Sequence, residues 1–272
     1  MTAVGGRTVA GFHHRARTYG VAALVGLGLM AGCSSSSPPS GGSSAGSPVK
    51  GGLTVFAAAS LKETFPAIGT KFEQAHPGTK VTFNFGGSSE LSTSIDGGAP
   101  ADVFAAASTK TMATVVAAGN ASRPVDFATN TMEVATPPDN PGHVSALADL
   151  ARPGVTVAVC QAKVPCGAAA TALFAKAGIT VKPVTLEPDV SSTLQKIRSG
   201  EVDAGIVYVT DVKAAGSTVH GIAIPTAANV VTTYPIVALK HARNPSTASA
   251  FADFVRSPAG QQVLGAAGFG PP

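Results

Sequence analysis

A short apolar strand that runs directly into a serine and a helix is the feature that most limits how this chain can fold. The first such junction is Leu53–Glu63, where an apolar stretch predicts a buried strand and Ser60 with Glu63 predicts a capping box at the start of a helix. The arrangement recurs at Gly86–Leu91, where Ser88 leads a second predicted helix. A strand that ends on a capped helix directs backbone N–H groups and a hydroxyl to one point, which suits an anion.

Predicted strands and helices of similar length alternate along most of the chain. A third strand, Asp102–Phe104, precedes a helix capped by Ser108. A second series begins with the strand Val155–Val159 and continues to the strand Ala204–Val209. This alternation predicts the α/β class, with right-handed crossovers and a largely parallel sheet.

Two segments indicate that the chain passes between two lobes. Pro137–Gly142 is a turn cluster between the two series, and Val230–Leu239 is a strand long enough to return from one lobe to the other. We therefore predict two α/β lobes, with residues 50–131 and 232–272 in lobe 1 and residues 132–231 in lobe 2.

The first 32 residues are predicted to be an export signal rather than part of the fold. Arg7, Arg15 and Arg17 form a basic region without acidic residues, and Tyr19–Met30 is an apolar run too short to span a bilayer as a helix. Without these three arginines the chain's 19 basic residues become 16, against 15 acidic residues. The exported part is thus almost neutral, and its charge does not favour nucleic-acid binding.

The residues after the apolar run resemble the cleavage box of bacterial lipoproteins. In Met30-Ala31-Gly32-Cys33 the cysteine would carry the lipid and become the new N-terminus, with Met30 standing where leucine is usual. Residues 33–49 are rich in Ser, Gly and Pro, which predicts a flexible tether. We expect an exported protein held by a lipid on Cys33 at the outer face of the cytoplasmic membrane.

The two other cysteines, Cys160 and Cys166, are predicted to form a disulfide. They lie close together in an exported chain, and no histidine or further cysteine accompanies them. The six histidines are scattered along the chain, so a metal site is not expected.

Loops at the carboxyl ends of parallel strands converge where a ligand would bind. Here these loops offer only uncharged groups, namely Ser60, Ser88, the turn 164–167, Val190 and Tyr208. Hydroxyls and helix N-termini without Lys, Arg or a carboxylate suit a fully deprotonated oxyanion, because an anion that carries a proton would find no acceptor.

A secreted serine hydrolase with Ser60 or Ser88 as nucleophile is the alternative from a different class. No histidine accompanies either serine in a recognisable motif. The sequence Ser47-Pro48-Val49-Lys50 matches the Ser-x-x-Lys of serine acyltransferases, but it lies in the predicted tether. We therefore expect a protein without enzymatic activity.

Four motifs resemble the corresponding segments of the periplasmic molybdate-binding proteins of ABC importers. The similarity extends in one unbroken order from about Leu53 to Phe269. The motifs are Thr54–Leu61 (TVFAAASL), Phe85–Leu91 (FGGSSEL), Gly98–Phe104 (GAPADVF) and Gly205–Tyr208 (GIVY).

The resemblance implies a class II periplasmic-binding fold, in which two α/β lobes joined by two hinge strands close over a dehydrated tetrahedral anion. It implies that Ser60 and Ser88 each supply a hydroxyl and a backbone N–H, and that Tyr208 supplies a hydroxyl. Cys166 and Val190 match backbone N–H donors, although the family often has alanine at the position of Cys166.

The implied ligand is molybdate, with tungstate, and no cofactor is expected. The implied partners are the permease and ATPase subunits of an ABC importer, with the binding protein acting as a monomer. Another oxyanion, such as sulfate, phosphate or an organic anion, remains the alternative ligand, because sequence does not reveal cavity size.

Overall fold

A nine-stranded sheet organises the part of the chain that this computed structural model describes, residues 48–272. The predicted export signal, Cys33 and nearly all of the predicted tether lie outside the described residues. The strands are β1 Gly51–Ala58, β2 Thr79–Gly86, β3 Val103–Ala105, β4 Val125–Thr136, β5 Val157–Cys160, β6 Thr185–Glu187, β7 Ala204–Tyr208, β8 His220–Ile222 and β9 Val231–Ala238.

Eight α-helices are distributed along the same part of the chain. They are α1 Phe65–Ala75, α2 Ser88–Asp96, α3 Thr109–Ala117, α4 Pro165–Ala177, α5 Val190–Arg198, α6 Val209–Ala215, α7 Pro245–Arg256 and α8 Pro258–Ala267. Within residues 48–272, none of these helices has the length and apolar character needed to cross a membrane.

Strand order in the sheet is β2-β1-β3-β9-β4-β7-β5-β6, and β8 pairs with β4. Strand β1 runs parallel to β2 and β3, and β5 runs parallel to β6 and β7. We call β1–β3 the first half of the sheet and β5–β7 the second half. The predicted α/β class is confirmed, but the sheet is parallel only within each half, since β9 and β4 join the halves through antiparallel pairings.

Strand β4 belongs to both halves. Its residues Val125–Thr131 pair with β9, whereas Met132–Ala135 pair with β7. Its last residues, Val134–Thr136, also pair with β8. The predicted division into residues 50–131 with 232–272 and residues 132–231 stays a prediction.

The cores on the two sides differ in composition. The core beside the first half is aromatic, with Phe65 packed against Phe127 at 5.7 Å between ring centroids and Phe72 packed edge-on against Phe251 at 5.3 Å. Such edge-on pairs add about 0.5–1.5 kcal/mol beyond the burial of apolar area. The core of the second half is mainly aliphatic, with members such as Val157, Leu173, Ile197 and Ile206.

Local capping signals predicted some helix starts correctly and one incorrectly. Ser108 accepts a hydrogen bond from the N–H of Thr111 and caps α3 as expected. The capping box of Ser60 and Glu63 is wrong, because Ala59–Leu61 forms a short 3-10 helix and α1 begins only at Phe65. A buried long-range contact of the Ser60 hydroxyl replaces the local cap.

Candidate functional site

Six strand ends meet around one small cavity of about 20 Å³. All three strands of the first half and all three of the second direct the segments after their carboxyl ends towards this point, as expected for parallel strands. The lining residues are Ala58, Ala59, Ser60, Gly86, Gly87, Ser88, Ala107, Val164, Pro165, Cys166, Asp189, Val190 and Tyr208.

The structure brings all five predicted site residues to this cavity. Ser60, Ser88, Cys166, Val190 and Tyr208 all line it, and all five are buried. The first two come from the first half of the sheet and the other three from the second. Their placement is a finding, whereas their binding of a ligand stays a prediction.

The two serines of the first half each have a hydrogen-bond partner within the protein. The hydroxyl oxygen of Ser60 lies 2.9 Å from the hydroxyl oxygen of Tyr234. The hydroxyl oxygen of Ser88 accepts the backbone N–H of Ala107 at 3.0 Å. A hydroxyl that accepts one bond keeps its own proton to donate elsewhere, so Ser88 can still act as a donor towards the cavity.

Three helices begin at the cavity wall. Helix α2 starts at Ser88, α4 at Pro165 and α5 at Val190, and they contain 9, 13 and 9 residues. The residues before α2 and α4, Gly87 and Val164, provide no side-chain cap. First-turn N–H groups have no partner inside their own helix and carry partial positive charge, so this wall favours an anion.

The hydroxyl of Tyr208 is the one buried side-chain polar atom without a hydrogen-bond partner among residues 48–272. The side chain is only 1% exposed, and leaving such a group unpaired costs about 1–3 kcal/mol. Burial raises the pKa of Tyr208 well above its usual value, so the hydroxyl keeps its proton at physiological pH. It is therefore a donor that a bound acceptor would satisfy.

Two carboxyl groups lie nearer to the cavity than the sequence indicated. Asp189 is part of the lining, so the expectation that the wall contains only uncharged residues is wrong. Its carboxylate accepts the N–H of Ser192 at 2.8 Å and caps α5, which directs it along that helix. The strand-end rule did not identify Asp189 as part of the wall, because this residue was considered only as the start of a helix.

Asp211 is buried directly behind Tyr208 and accepts its backbone N–H at 2.9 Å. Burial raises the pKa of Asp211 to about 7, because removal from water disfavours the charged form. Near neutral pH this carboxyl therefore carries a proton for part of the time.

The predicted disulfide between Cys160 and Cys166 is present. It ties the end of β5 to the first turn of α4, and the neighbouring Gly167 allows the chain to pass close to its own backbone. A Cβ at Gly167 would lie 1.9 Å from the carbonyl oxygen of Gln161, which no side chain could accommodate. Cys166 thus lies in the cavity wall, at the position where the molybdate-binding family that the sequence resembles often has alanine.

The two halves also touch each other beside the cavity. A Cβ at Gly87 would lie 2.8 Å from the carbonyl oxygen of Pro188, and the hydroxyl of Ser89 donates to the carbonyl of Lys163 at 3.2 Å. Glycine is needed at position 87 because backbone meets backbone there.

Tyr234 and Ala107 are the partners that sequence reasoning missed. Tyr234 lies in β9, 174 residues from Ser60, so no local pattern connects the two hydroxyls. Ala107 lies two residues after the end of β3, and the rule that strand ends converge could have identified it.

Among the described residues, no group of three or more His, Cys, Asp or Glu side chains is arranged to hold a metal ion. The cavity wall contains no Lys or Arg. The arrangement can therefore bind a small anion through hydrogen-bond donors and helix N-termini, without a countercharge in direct contact.

A fold of this kind, with a donor-lined cavity where its strand ends meet, defines a class of proteins that capture small solutes outside the cell. The chain belongs to the family of bacterial extracellular solute-binding proteins, whose family model matches residues 53–270. Among characterised relatives, molybdate-binding protein ModA of Mycobacterium tuberculosis H37Rv is 43% identical over 255 residues, which are 93% of this chain and 96% of that protein.

Solved structures share the fold. The periplasmic molybdate-binding protein of Azotobacter vinelandii matches with a TM-score of 0.72 and 21% identity, over 81% of this chain and 99% of that one. The sulfate-binding protein SubI of M. tuberculosis H37Rv matches with a TM-score of 0.73 and 20% identity, over 81% of this chain and 86% of that one. The predicted periplasmic-binding fold and the resemblance to molybdate-binding proteins are both confirmed.

Proposed function

We propose that this protein captures molybdate, and tungstate with it, outside the cytoplasmic membrane and delivers the anion to the permease and ATPase of an ABC importer. The observation that carries the proposal is the buried, unpartnered hydroxyl of Tyr208, which lines a cavity together with Ser60, Ser88 and three helix N-termini. The 43% identity to a molybdate-binding protein supports the choice of anion.

The donors suit a dianion that carries no proton. Hydrogen bonds to charged groups contribute about 1.5–3 kcal/mol each, and partly buried helix N-termini add up to about 2 kcal/mol. Several such contributions together replace the countercharge that the cavity wall lacks. Phosphate near neutral pH carries at least one proton and would need an acceptor, but the carboxylate of Asp189 in the wall is already engaged by the N–H of Ser192, which penalises phosphate.

The size of the cavity favours an inorganic ion over an organic anion. Its volume of about 20 Å³ is far below the roughly 300–1,000 Å³ of typical sites for drug-sized ligands. Sulfate is also a small dianion without a proton, so among inorganic ions the relative at 43% identity makes molybdate the preferred choice.

Ligand capture would stabilise the arrangement in which the two halves meet. The contacts of Gly87 with Pro188 and of Ser89 with Lys163 are formed in that arrangement, and an importer would recognise it. We propose that the protein acts as a monomer, needs no cofactor and is held at the membrane by a lipid on Cys33. Release of a Cys33→Ser variant from the membrane fraction tests the anchor.

A hydrolase is not favoured by the site. The hydroxyl oxygens of Ser60 and Ser88 interact with Tyr234 and Ala107, and no histidine lines the cavity to act as a general base.

The test is calorimetric titration of the exported form of the protein with molybdate, tungstate, sulfate and phosphate, with thermal unfolding in parallel. Molybdate should bind with one-to-one stoichiometry, and at a hundred times its Kd it should stabilise the fold by about 2.7 kcal/mol. Equal stabilisation by sulfate at equal concentration would overturn the assignment to molybdate.

A further inference from the structure

Tyr234 is absent from the cavity wall, yet its hydroxyl reaches Ser60 within the wall at 2.9 Å. The contact is buried, and it joins β9 to the turn after β1. We propose that Tyr234 is a specificity-determining residue, which donates its hydroxyl proton to Ser60 and so orients the Ser60 hydroxyl to donate to a bound anion. The inference rests on the proposed function, since it concerns which anions the cavity accepts.

Chemistry sets the direction of this hydrogen bond. A phenol, with a pKa of about 10, is a stronger donor and a weaker acceptor than an aliphatic hydroxyl. Burial raises the pKa of Tyr234 further, so the phenol keeps its proton at any physiological pH. Tyr234 is also the one hydrogen-bond partner of the Ser60 hydroxyl among residues 48–272. The proton of Ser60 is therefore available to the cavity.

The Ser88 hydroxyl is bonded in the same way, and its partner is a backbone N–H, which must be the donor. The N–H of Ala107 can only donate, and it donates to the hydroxyl oxygen of Ser88 at 3.0 Å. Both serines thus accept a hydrogen bond from the protein and keep their own protons for donation into the cavity. At these two contacts an anion that carries a proton meets donors, which is unfavourable for that proton.

Packing holds the Tyr234 hydroxyl in place. The ring lies in edge-on contact with Phe127, Tyr208 and Phe269 at centroid distances of 6.2, 6.0 and 5.4 Å. Phenylalanine would keep these contacts and remove only the donor. Tyr234→Phe is therefore a clean test of the hydroxyl.

The experiment measures the Kd for molybdate and for phosphate by calorimetry at pH 7, in wild type, Tyr234→Phe and Tyr208→Phe. In Tyr234→Phe, the freed oxygen of Ser60 can accept a proton from hydrogenphosphate. We expect the molybdate Kd to rise about 5- to 10-fold, in line with the loss of one supporting hydrogen bond. The phosphate Kd should fall, so that the ratio of the phosphate Kd to the molybdate Kd drops at least tenfold.

Tyr208→Phe is the matched control, because it removes a donor without freeing an acceptor. It should weaken the binding of both anions, so that the ratio of the phosphate Kd to the molybdate Kd stays near the wild-type value. A merely structural role for Tyr234 predicts that both anions weaken equally in Tyr234→Phe, and an unchanged ratio would overturn the inference.

Two further variants keep the outcome decisive. In a Ser60→Ala background, adding Tyr234→Phe should leave the Kd ratio unaltered, because the hydroxyl acts through Ser60. If Tyr234→Phe does not fold, the Ser60→Ala variant provides the test. A fall in the ratio of phosphate Kd to molybdate Kd would support the inference, and a constant ratio would overturn it. Failure of wild type to bind molybdate would instead refute the proposed function.

Discussion

The first half of the sheet presents hydroxyls that the protein already bonds, whereas the second half presents a hydroxyl that no described residue bonds. Ser60 and Ser88 have partners in Tyr234 and Ala107, but the Tyr208 hydroxyl has none. Both serine hydroxyls of the first half therefore already have a hydrogen-bond partner within the protein. The second half contains the one buried side-chain polar atom of residues 48–272 that lacks a hydrogen-bond partner.

The two halves also hold their part of the wall by different means. Aromatic packing beside β1 supports the first half, where Phe65 and Phe72 are fully buried. In the second half, a disulfide fixes the segment from Cys160 to Cys166, and Gly167 permits its tight path. A covalent bond thus supplies in one half the rigidity that ring packing supplies in the other.

Removal of the unpaired hydroxyl should have the largest effect and should separate binding from stability. Tyr208→Phe should weaken molybdate binding by about 10- to 100-fold, since a hydrogen bond to a charged group contributes about 1.5–3 kcal/mol. Without ligand, the free energy of unfolding should stay constant or increase, because a buried group without a partner is removed. Calorimetry and urea unfolding measure the two quantities. A variant that loses stability but retains affinity would contradict the contrast between the halves.

Removal of the covalent constraint should have the next largest effect. For a loop of this size, Cys160→Ala with Cys166→Ala should lower the free energy of unfolding by about 2 kcal/mol, because the unfolded chain gains freedom. Molybdate affinity should also decrease, since the N–H of Cys166 loses its fixed direction. Urea unfolding of the variant, with reduced wild type for comparison, provides the measurement. An unchanged urea midpoint would show that packing alone holds this loop.

The smallest effect concerns the carboxyl behind Tyr208. Burial raises the pKa of Asp211 to about 7, so between about pH 4 and pH 7 the folded state holds a proton that the unfolded state releases. This contribution to stability is complete below about pH 4 and is lost as the pH rises to 7, by no more than about 1.4 kcal/mol per pH unit. Asp211→Asn should remove this slope and still accept the N–H of Tyr208.

Urea unfolding at several pH values between 4 and 8 tests the Asp211 prediction. The exposed Asp253→Asn serves as the control and should retain the wild-type slope. Molybdate affinity gives a second readout, because ionised Asp211 would repel a dianion. Wild type should bind more weakly above pH 7, and Asp211→Asn should show a smaller decline.

Local signals predicted much of this molecule, because they depend on neighbouring residues. The cap at Ser108 and the strand ends that lead to Ser88 and Tyr208 were all readable in this way. The strand-end rule also offered the turn 164–167 and Val190, and the resemblance to molybdate-binding proteins predicted backbone N–H donor roles for Cys166 and Val190. The structure places both residues in the wall.

Long-range contacts were beyond such reasoning. The contact between Ser60 and Tyr234 spans 174 residues, and it overrides the local tendency of Ser60 to cap a helix. The antiparallel pairing of β9 with β3 and β4 depends on how the halves are joined. Neither is determined by the periodicity of a single segment.

The edge-on pair of Tyr208 and Tyr234 has an optical consequence. The chain contains three tyrosines and no tryptophan, and within residues 48–272 these two are its only tyrosines. Tyrosine emission from that part of the chain therefore originates from one residue of the cavity wall and its edge-on neighbour, without competing indole signals. Anion capture can thus be followed through the intensity of native phenol fluorescence, with no dye or label attached.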